Sequence, residues 1–314
     1  MFSVIIPVYN GAEFIEKAID SVFAQSRSDW ELIVINDGSG DATAEILRKY
    51  YDVQRVRVIT QENAGVSAAR NRGIAEANGS HIAFLDADDV WHSDHLEVMG
   101  RLIERYPSAG LYGSFTRTEL VNGGMIDRSE YFIGQSDSVL LDNFLEEYYR
   151  DKSAKLFTVI TTCIPRHVFD KIGGFPVGCR IGEDLELTLR IAAYYPVALT
   201  GRATATYIKE NSVATKENSF DPDWRFFDTV SDLYEDESIP KLRRESLRRL
   251  MQWFTMRRCR HYMIDGRRRD AWAHFSEIGS DPRLRKDKFI TLALMCMPSA
   301  AVKRIFAVRW RSKA

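Results

Sequence analysis

Short runs of apolar residues alternate with amphipathic segments through the first hundred residues. The runs are rich in β-branched residues and are continuously apolar, which is typical of strands buried on both faces of a parallel sheet. The segments between them repeat apolar residues at the helical period. We therefore predict an α/β fold with a mostly parallel sheet flanked by helices. The predicted strands are 3–8, 32–35, 56–59 and 81–85, and the predicted helices are 12–24, 42–50 and 66–77.

Polar clusters follow three of these predicted strands. Tyr9-Asn10 follows the first strand, Asn36-Asp37 the second, and residues 86–89 (Asp-Ala-Asp-Asp) the fourth. Right-handed crossovers place the carboxyl ends of parallel strands at one edge of the sheet, where open α/β sheets bind ligands. We expect the three clusters to form one site.

The rest of the chain has a different organisation. Residues 111–117 and 124–133 are predicted to be antiparallel strands, and residues 184–194 a helix. Beyond residue 221 the pattern is helical and rich in arginine. We predict a catalytic α/β domain over residues 1–215 and a helical C-terminal region over residues 216–314.

Charge is distributed unevenly, although the formal net charge is only −1. Residues 240–314 contain 20 Lys or Arg and 6 Asp or Glu, which leaves 23 basic and 38 acidic residues in the first 239. The apolar run 289–302 is followed by four cations, which fits an interfacial helix pair on anionic lipid. A basic bundle packed on the acidic domain or on a second subunit is the alternative. No nucleic-acid-binding module is recognised there, so nucleic acid is not an expected partner.

Cysteine use and hydropathy indicate the compartment. The four cysteines are scattered without a CxxC pair, as expected of reduced thiols in a cytosolic setting. The N-terminal segment lacks the features of a signal peptide. The run 289–302 has 14 residues interrupted by Pro298, whereas a membrane span needs about 20. We expect a cytoplasmic protein, peripheral at the inner face of the cytoplasmic membrane.

The acidic cluster is the strongest chemical signal. Asp86, Asp88 and Asp89 bring three carboxylates within four residues, and their mutual repulsion favours a divalent cation. Oxygen ligands of this kind suit Mg²⁺ or Mn²⁺, which bind through one or two carboxylates together with substrate phosphates. An Asp-rich turn that caps a helix beginning near Ser93 is the alternative.

Two further segments carry candidate chemistry. Glu183 and Asp184 open a helix after the glycine-rich residues 173–182, as a general base or as a simple capping pair. Small residues at the start of the helix after Asn63 would let backbone N–H groups approach an anion, with Arg70 one turn inside. Packing of a small-residue helix on the sheet explains the same alanines.

Taken in order, these segments resemble the motif series of the family 2 glycosyltransferases, which have the GT-A fold. The resemblance covers roughly residues 1–210 and rests on segments 3–10, 36–39, 62–71, 84–89 and 173–184. It implies a metal-dependent, inverting hexosyltransferase that uses Mn²⁺ or Mg²⁺. The donor would be a nucleotide sugar, usually a UDP-sugar. The acceptor would be a hydroxyl of a glycan or lipid-linked molecule, in the synthesis of bacterial cell-surface polysaccharide.

The resemblance also implies roles by position. The implied nucleotide-binding residues are Pro7, Val8, Tyr9, Asn10, Asp37, Asn63, Arg70 and Asp86. Within this set Tyr9 would lie against the base and Asp37 would accept a hydrogen bond from its edge. Asp86 and Asp88 would serve the ribose and the metal, with Asp89 secondary.

The implied acceptor side is carried by the Glu-Asp pair. Asp184 would take the proton of the acceptor hydroxyl, and Glu183 would position the acceptor or the loop. Many relatives carry a histidine further on that reaches the metal, but residues 207–212 (Tyr-Ile-Lys-Glu-Asn-Ser) contain none. We hypothesise that Lys209 contacts the diphosphate instead, and a solvated lysine is the alternative.

Two other functions use a similar fold. A nucleotidyltransferase would carry a glycine-rich, basic phosphate loop near the first strand, and Tyr9-Asn10-Gly11 does not fit that pattern. A catalytically silent nucleotide-sugar-binding protein is the second alternative, and the intact carboxylates Asp86, Asp88 and Asp184 argue against it.

Overall fold

The computed structural model describes residues 1–120, 124–127, 129, 137–150, 158–179, 182–208 and 230–311, with side chains as far as residue 305. Lys209 therefore lies outside the described residues. The chain divides into two compact units, Met1–Asn218 and Ser219–Ala314.

A mixed sheet forms the centre of the first unit. Its strand order is β3-β2-β1-β4-β9-β6-β10-β5, with β7 added beside β6 and β8 beside β10. The strands are β1 (Phe2–Val8), β2 (Trp30–Asn36), β3 (Val56–Thr60), β4 (His81–Phe84), β5 (Val90–Trp91), β6 (Leu111–Glu119), β7 (Met125–Asp127), β8 (Ser138–Leu141), β9 (Thr162–Pro165) and β10 (Val197–Ile208).

The prediction of a mostly parallel sheet is confirmed for the first half of this unit. Strands β3, β2, β1 and β4 are parallel neighbours, as are β6 and β10. The other described pairings are antiparallel: β9 runs between β4 and β6, β5 and β8 pair with β10, and β7 pairs with β6. The predicted antiparallel pairing near Asn122-Gly123 is confirmed where it is described, with Thr118 opposite Ile126.

Register places the three polar clusters at one edge. Val8 pairs with Asn36, and Ile5 pairs with Phe84, so strands β1, β2 and β4 end close together. All seven residues of β1 are buried. The site edge is therefore built on the most deeply buried strand of the unit, as the continuous apolar run predicts.

Helices cover the sheet of the first unit. Helix α3 packs on β1 and β2, and helix α4 packs on β10 and β6. The described helices are α1 (Ile15–Phe23), α2 (Thr43–Leu47), α3 (Val66–Glu76), α4 (His95–Arg105), α5 (Phe144–Arg150), α6 (Arg166–Ile172) and α7 (Glu183–Tyr194).

The second unit is helical where it is described, as predicted. Its helices are α8 (Lys241–Ile264), α9 (Arg268–Ser276), α10 (Arg285–Met295) and α11 (Ser299–Arg311). The long helix α8 packs against the other three. Arginines form further links within this unit: Arg249 on α8 pairs with Asp281, ahead of α10, at 2.9 Å, and Arg268 on α9 donates to the carbonyl of Met295 on α10 at 2.8 Å. Across the described helices, none combines the length and apolar composition needed to cross a bilayer.

The contact between α3 and β1 gives the first prediction. A Cβ added to Gly73 on α3 would lie 2.4 Å from Cγ2 of Ile5, whereas one added to Gly40 meets nothing within 4 Å. We expect Gly73→Ala to lower the free energy of unfolding by about 1–3 kcal/mol through overpacking. The matched Gly40→Ala variant should change it by less than about 0.5 kcal/mol. Urea denaturation measures both, and equal midpoints would contradict the described packing.

Candidate active site

The loops after β1 and β2 are tied to each other at the site edge. The Asn10 side chain accepts from the backbone N–H of Gly40 at 2.8 Å, and Ser39 Oγ accepts from the N–H of Asn10 at 3.0 Å. Asn10 has a φ of 51°, a left-handed conformation that asparagine tolerates better than most residues. Tyr9 is left 56% exposed beside these bonds. Its ring is therefore available to a ligand.

Asp37 organises the loop that leads into α3. Its side chain is buried, and Oδ1 accepts from Gln61 Nε2 at 2.8 Å and from the N–H of Ala64 at 3.0 Å. Oδ2 accepts from the N–H of Gly65 at 2.9 Å. A carboxylate has about four acceptor positions, so these three bonds leave one for a ligand donor. Asn63, in the same loop, is exposed.

Arg70 joins two acidic segments across the site. Its side chain is 3% exposed, with Nη2 2.7 Å from Asp86 Oδ1 and Nη1 3.0 Å from Glu183 Oε1. Burial alone would lower the pKa of the guanidinium, but the charges of Asp86 and Glu183 raise it above its ordinary value. The negative charge of Asp184, the neighbour of Glu183, raises the pKa of Arg70 as well. The predicted acidic loop and the predicted Glu-Asp pair therefore meet.

The neighbouring Asn71 binds the glycine-rich loop. Its Nδ2 donates to the carbonyl of Phe175 at 2.8 Å, and its Oδ1 accepts from the N–H of Phe175 at 2.7 Å. A Cβ on Gly174 would lie 2.1 Å from that oxygen, so the close approach requires glycine. The Phe175 ring lies 5.1 Å from the Arg70 guanidinium. No role for Asn71 was predicted, because its position directly after Arg70 was the only signal in the sequence.

A second arginine fixes the other side of this loop. Arg190 on α7 forms two bonds of 2.7 Å to the carboxylate of Glu186, one turn earlier. It also donates to the carbonyls of Ile172 and Gly174. Sequence analysis did not identify this pair, although Glu and Arg four residues apart are a recognised helical signal. Arg190 thus ties the start of the loop, at residues 172–174, to α7.

The acidic loop carries carboxyl groups in three different environments. Asp86 is bound by Arg70, whereas no hydrogen bond joins Asp88 to the described side chains. Burial and the charge of Asp86 raise the pKa of Asp88 to about 6. Burial and both neighbouring carboxylates raise the pKa of Asp89 to about 9, and Asp89 Oδ1 accepts from the N–H of Ile208 at 3.1 Å. Helix α4 begins after Asp94 without a side-chain cap, so this loop does not cap it.

Asp184 lies in the first turn of α7 and is half-buried. Its Oδ1 accepts from the N–H of Leu185 at 2.7 Å. Its Oδ2 has no hydrogen-bond partner among the residues that the structure describes. Burial and the adjacent Asp184 charge raise the pKa of Glu183 above its ordinary range, although Arg70 opposes the shift. Asp184 thus keeps one carboxylate oxygen without a hydrogen bond to the described residues, whereas Glu183 is held by the guanidinium of Arg70.

The acidic loop fits a hard divalent cation. In the described part of the chain, no three His, Cys, Asp or Glu side chains are arranged to hold a metal by themselves. Asp86 and Asp88 would supply one or two carboxylates. The raised pKa of Asp88 reflects burial and the charge of Asp86, and a bound cation would oppose both effects. Mg²⁺ and Mn²⁺ complete such sets with water and substrate phosphates.

Four of the predicted nucleotide-binding residues lie at the end of β1 or directly after it. Tyr9 and Asn10 are exposed at the rim, while Pro7 and Val8 are buried in β1 beneath it. The structure thus gives Pro7 and Val8 a place in the floor, where their side chains face the protein interior.

Known proteins are similar to this chain in sequence. The family described as glycosyl transferase family 2 matches residues 3–173. Glycosyltransferase GlyA of Streptococcus pneumoniae is 33% identical over 193 residues, which is 60% of this chain and 27% of that protein. The putative teichuronic acid biosynthesis glycosyltransferase TuaG of Bacillus subtilis is 36% identical over 150 residues, 46% of this chain and 57% of that protein. The chain thus covers less than two thirds of either relative's length.

Solved structures show the same fold at low identity. TarS 1-349 of S. aureus in complex with UDP-GlcNAc superposes with a TM-score of 0.73 at 17% identity, over 98% of this chain and 91% of that chain. The mannosyltransferase PcManGT of Pyrobaculum calidifontis, in complex with GDP-Man and Mn²⁺, gives 0.57 at 18% identity, over 98% and 87%. These likenesses agree with the GT-A fold that the motif series implied. With its family match spanning more than half of the sequence, the chain belongs to glycosyl transferase family 2.

Proposed function

We propose that this protein is an inverting glycosyltransferase that moves a sugar from a nucleotide sugar, a UDP-sugar, to a hydroxyl of a glycan or lipid-linked acceptor. The observation that carries the proposal is the shared guanidinium of Arg70, which holds Asp86 beside the Glu183-Asp184 turn. Asp86, which would face the donor, thus lies next to the turn that carries Asp184, the residue that would act as the catalytic base. Synthesis of bacterial cell-surface polysaccharide is the proposed context, and the teichuronic acid relative supports it.

The donor would bind along the edge formed by β1, β2 and β4. The exposed ring of Tyr9 offers a stacking surface for the base, and the free acceptor position of Asp37 suits an N–H on the base edge. Asp86 would reach the ribose. The TarS complexes with UDP-GlcNAc and with UDP support a uridine nucleotide.

Asp88 and Asp86 would hold Mn²⁺ or Mg²⁺. When bound, such a cation offsets the charge that develops on the departing diphosphate. The Mn²⁺ complex of the mannosyltransferase supports a divalent metal as the cofactor. Asp89 would be secondary, since its carboxyl is buried and bonded to the backbone of β10.

Asp184 would act as the base. Its free Oδ2 would accept the proton of the acceptor hydroxyl while the hydroxyl oxygen bonds to the anomeric carbon and the bond from that carbon to the diphosphate breaks. Attack from the face opposite the leaving group inverts the anomeric configuration. Glu183, held by Arg70, would keep the first turn of α7 in place for this transfer. Lys209 remains our proposal for a further diphosphate contact.

A panel of nucleotide sugars tests the proposal. With Mn²⁺ or Mg²⁺ present, we expect at least one UDP-sugar to raise the melting temperature and to be hydrolysed slowly in the absence of acceptor. Because the phosphates would bind through the cation, excess EDTA should abolish both effects. Stabilisation without turnover of any donor or acceptor would instead favour the silent binding protein.

Replacing Asp184 separates binding from chemistry. Asp184→Asn keeps the shape of the side chain but removes its basicity, so turnover should fall by roughly 10²-fold or more. Donor affinity should stay within about threefold, because Asp184 would contact the acceptor. Asp20→Asn, at an exposed carboxylate on α1, is the matched control and should retain full turnover. Near-normal turnover of Asp184→Asn would remove Asp184 as the base.

The raised pKa of Asp89 gives a pH prediction. With a pKa of about 9 in the folded protein, Asp89 is protonated at neutral pH, whereas it ionises near pH 4 in the unfolded chain. The stabilisation that comes from keeping Asp89 protonated in the folded protein is therefore complete below about pH 4 and is lost as the pH rises toward 9. Asp89→Asn keeps an acceptor for the N–H of Ile208 and cannot ionise.

The comparison is made by urea denaturation in EDTA at several pH values. Between pH 5 and pH 8, we expect the wild type to lose about 1 kcal/mol per pH unit relative to Asp89→Asn. Stability profiles that run parallel for the two proteins would show that Asp89 is ionised in the folded state.

A further inference from the structure

Helix α10 exposes an apolar stripe. Phe289 is 72% exposed, and Leu292, one turn later, is 37% exposed. Ala293 and Cys296 are also exposed and fall on the same stripe at helical spacing. Ile290 and Met297 extend the apolar surface, with exposures of 39% and 38%. We call these six residues, 289, 290, 292, 293, 296 and 297, the α10 face.

The opposite side of α10 packs within the second unit. This packing fixes the rotation of the helix, so that the α10 face points outward. Thr291 and Met295 are fully buried. Arg260 on α8 donates to Thr291 Oγ1 at 2.9 Å and to the carbonyl of Asp287 at 3.1 Å. The helix therefore cannot turn its apolar stripe inward without breaking these bonds.

Two exposed cations lie at the start of α10, beside the α10 face. Arg285 lies one turn before Phe289 on the same stripe, and Lys286 is exposed next to it. Neither cation has an ion pair within the described residues. Between residues 285 and 297 the one carboxylate is Asp287, which lies on the inner side 3.8 Å from Arg260. The surface thus combines exposed apolar side chains with cations that lack a partner of opposite charge.

We infer that the α10 face docks on an anionic lipid bilayer surface, with Phe289 and Leu292 at the acyl boundary and Arg285 and Lys286 at the headgroups. Interfacial helices are recognised by this combination of an exposed apolar stripe and flanking cations. The excess of 20 basic over 6 acidic residues in 240–314 adds long-range attraction to the same surface.

A second copy of the chain fits the α10 face less well than lipid does. Self-association through this stripe would give Arg285 and Lys286 no carboxylate from the same helix of another molecule, because Asp287, the one carboxylate of residues 285–297, lies on the inner side. Lipid docking rests on the proposed function in one respect: it would bring the enzyme to a lipid-linked acceptor in the bilayer. Binding to vesicles tests it without any turnover.

Flotation of the full chain with vesicles tests the inference. We expect the wild type to float with phosphatidylcholine/phosphatidylglycerol vesicles and to stay at the bottom with phosphatidylcholine alone. Phe289→Glu, and the double reversal Arg285→Glu with Lys286→Glu, should each lower the vesicle partition coefficient about tenfold or more. High salt should weaken wild-type binding as well.

The matched control is Leu242→Glu, which places the same charge at a 61% exposed leucine at the start of α8. It should float like the wild type, and circular dichroism should show that all variants are folded. The inference fails if the wild type does not float, if Phe289→Glu floats normally, or if Leu242→Glu loses binding equally. A dimer in sedimentation velocity that Phe289→Glu dissociates would assign the face to a second copy. Vesicle binding by a protein that turns over no nucleotide sugar would overturn the proposed function alone.

Discussion

The guanidinium of Arg70 holds together two segments of chain whose contacting residues, Arg70 and Glu183, are 113 positions apart. A buried cation is costly unless its partners surround it, and here two carboxylates and an aromatic ring do so. The dependence is mutual, because Asp86 and Glu183 would repel each other without the positive charge between them. The contact of the first turn of α7, which carries Asp184, with the acidic loop depends on this group.

The groups around Arg70 divide into those that are satisfied and those that are open. Asn71 and Arg190 form hydrogen bonds to the backbone of residues 172–175, which fix the start of the glycine-rich loop. Tyr9 and one oxygen of Asp184 are left without protein partners in the described structure. Rigid support beneath open polar groups is what a binding and catalytic site requires. We therefore assign support to the first set and chemistry to the second.

The sequence predicted the edge of the site because its signals are local. Continuous apolar runs identify buried strands, and the polar residues directly after them must lie where those strands end. The antiparallel return of β9 between β4 and β6 could not be predicted in this way, since it pairs residue 82 with residue 164. The roles of Asn71 and Arg190 were missed for the same reason. Each depends on a partner that is distant in sequence or on a carbonyl, which carries no sequence signal.

The capping alternatives illustrate the same limit. An acidic turn before a helix has the same sequence appearance whether it caps that helix or faces a ligand. The structure separates the two for Asp86, because its carboxylate binds a side chain from α3 and helix α4 begins nine residues later without a side-chain cap. A long-range ion pair, invisible in local patterns, made the distinction.

A double-mutant cycle between Arg70 and Glu183 tests the central claim most directly. Arg70→Met, Glu183→Gln and the double variant would be unfolded in urea under identical conditions. Breaking a buried pair by removing one partner costs about 3–5 kcal/mol. We expect the double variant to lower the free energy of unfolding by less than the sum of the two single variants, with a difference of at least about 1 kcal/mol. Additive losses would show that the two segments are not held together by this ion pair.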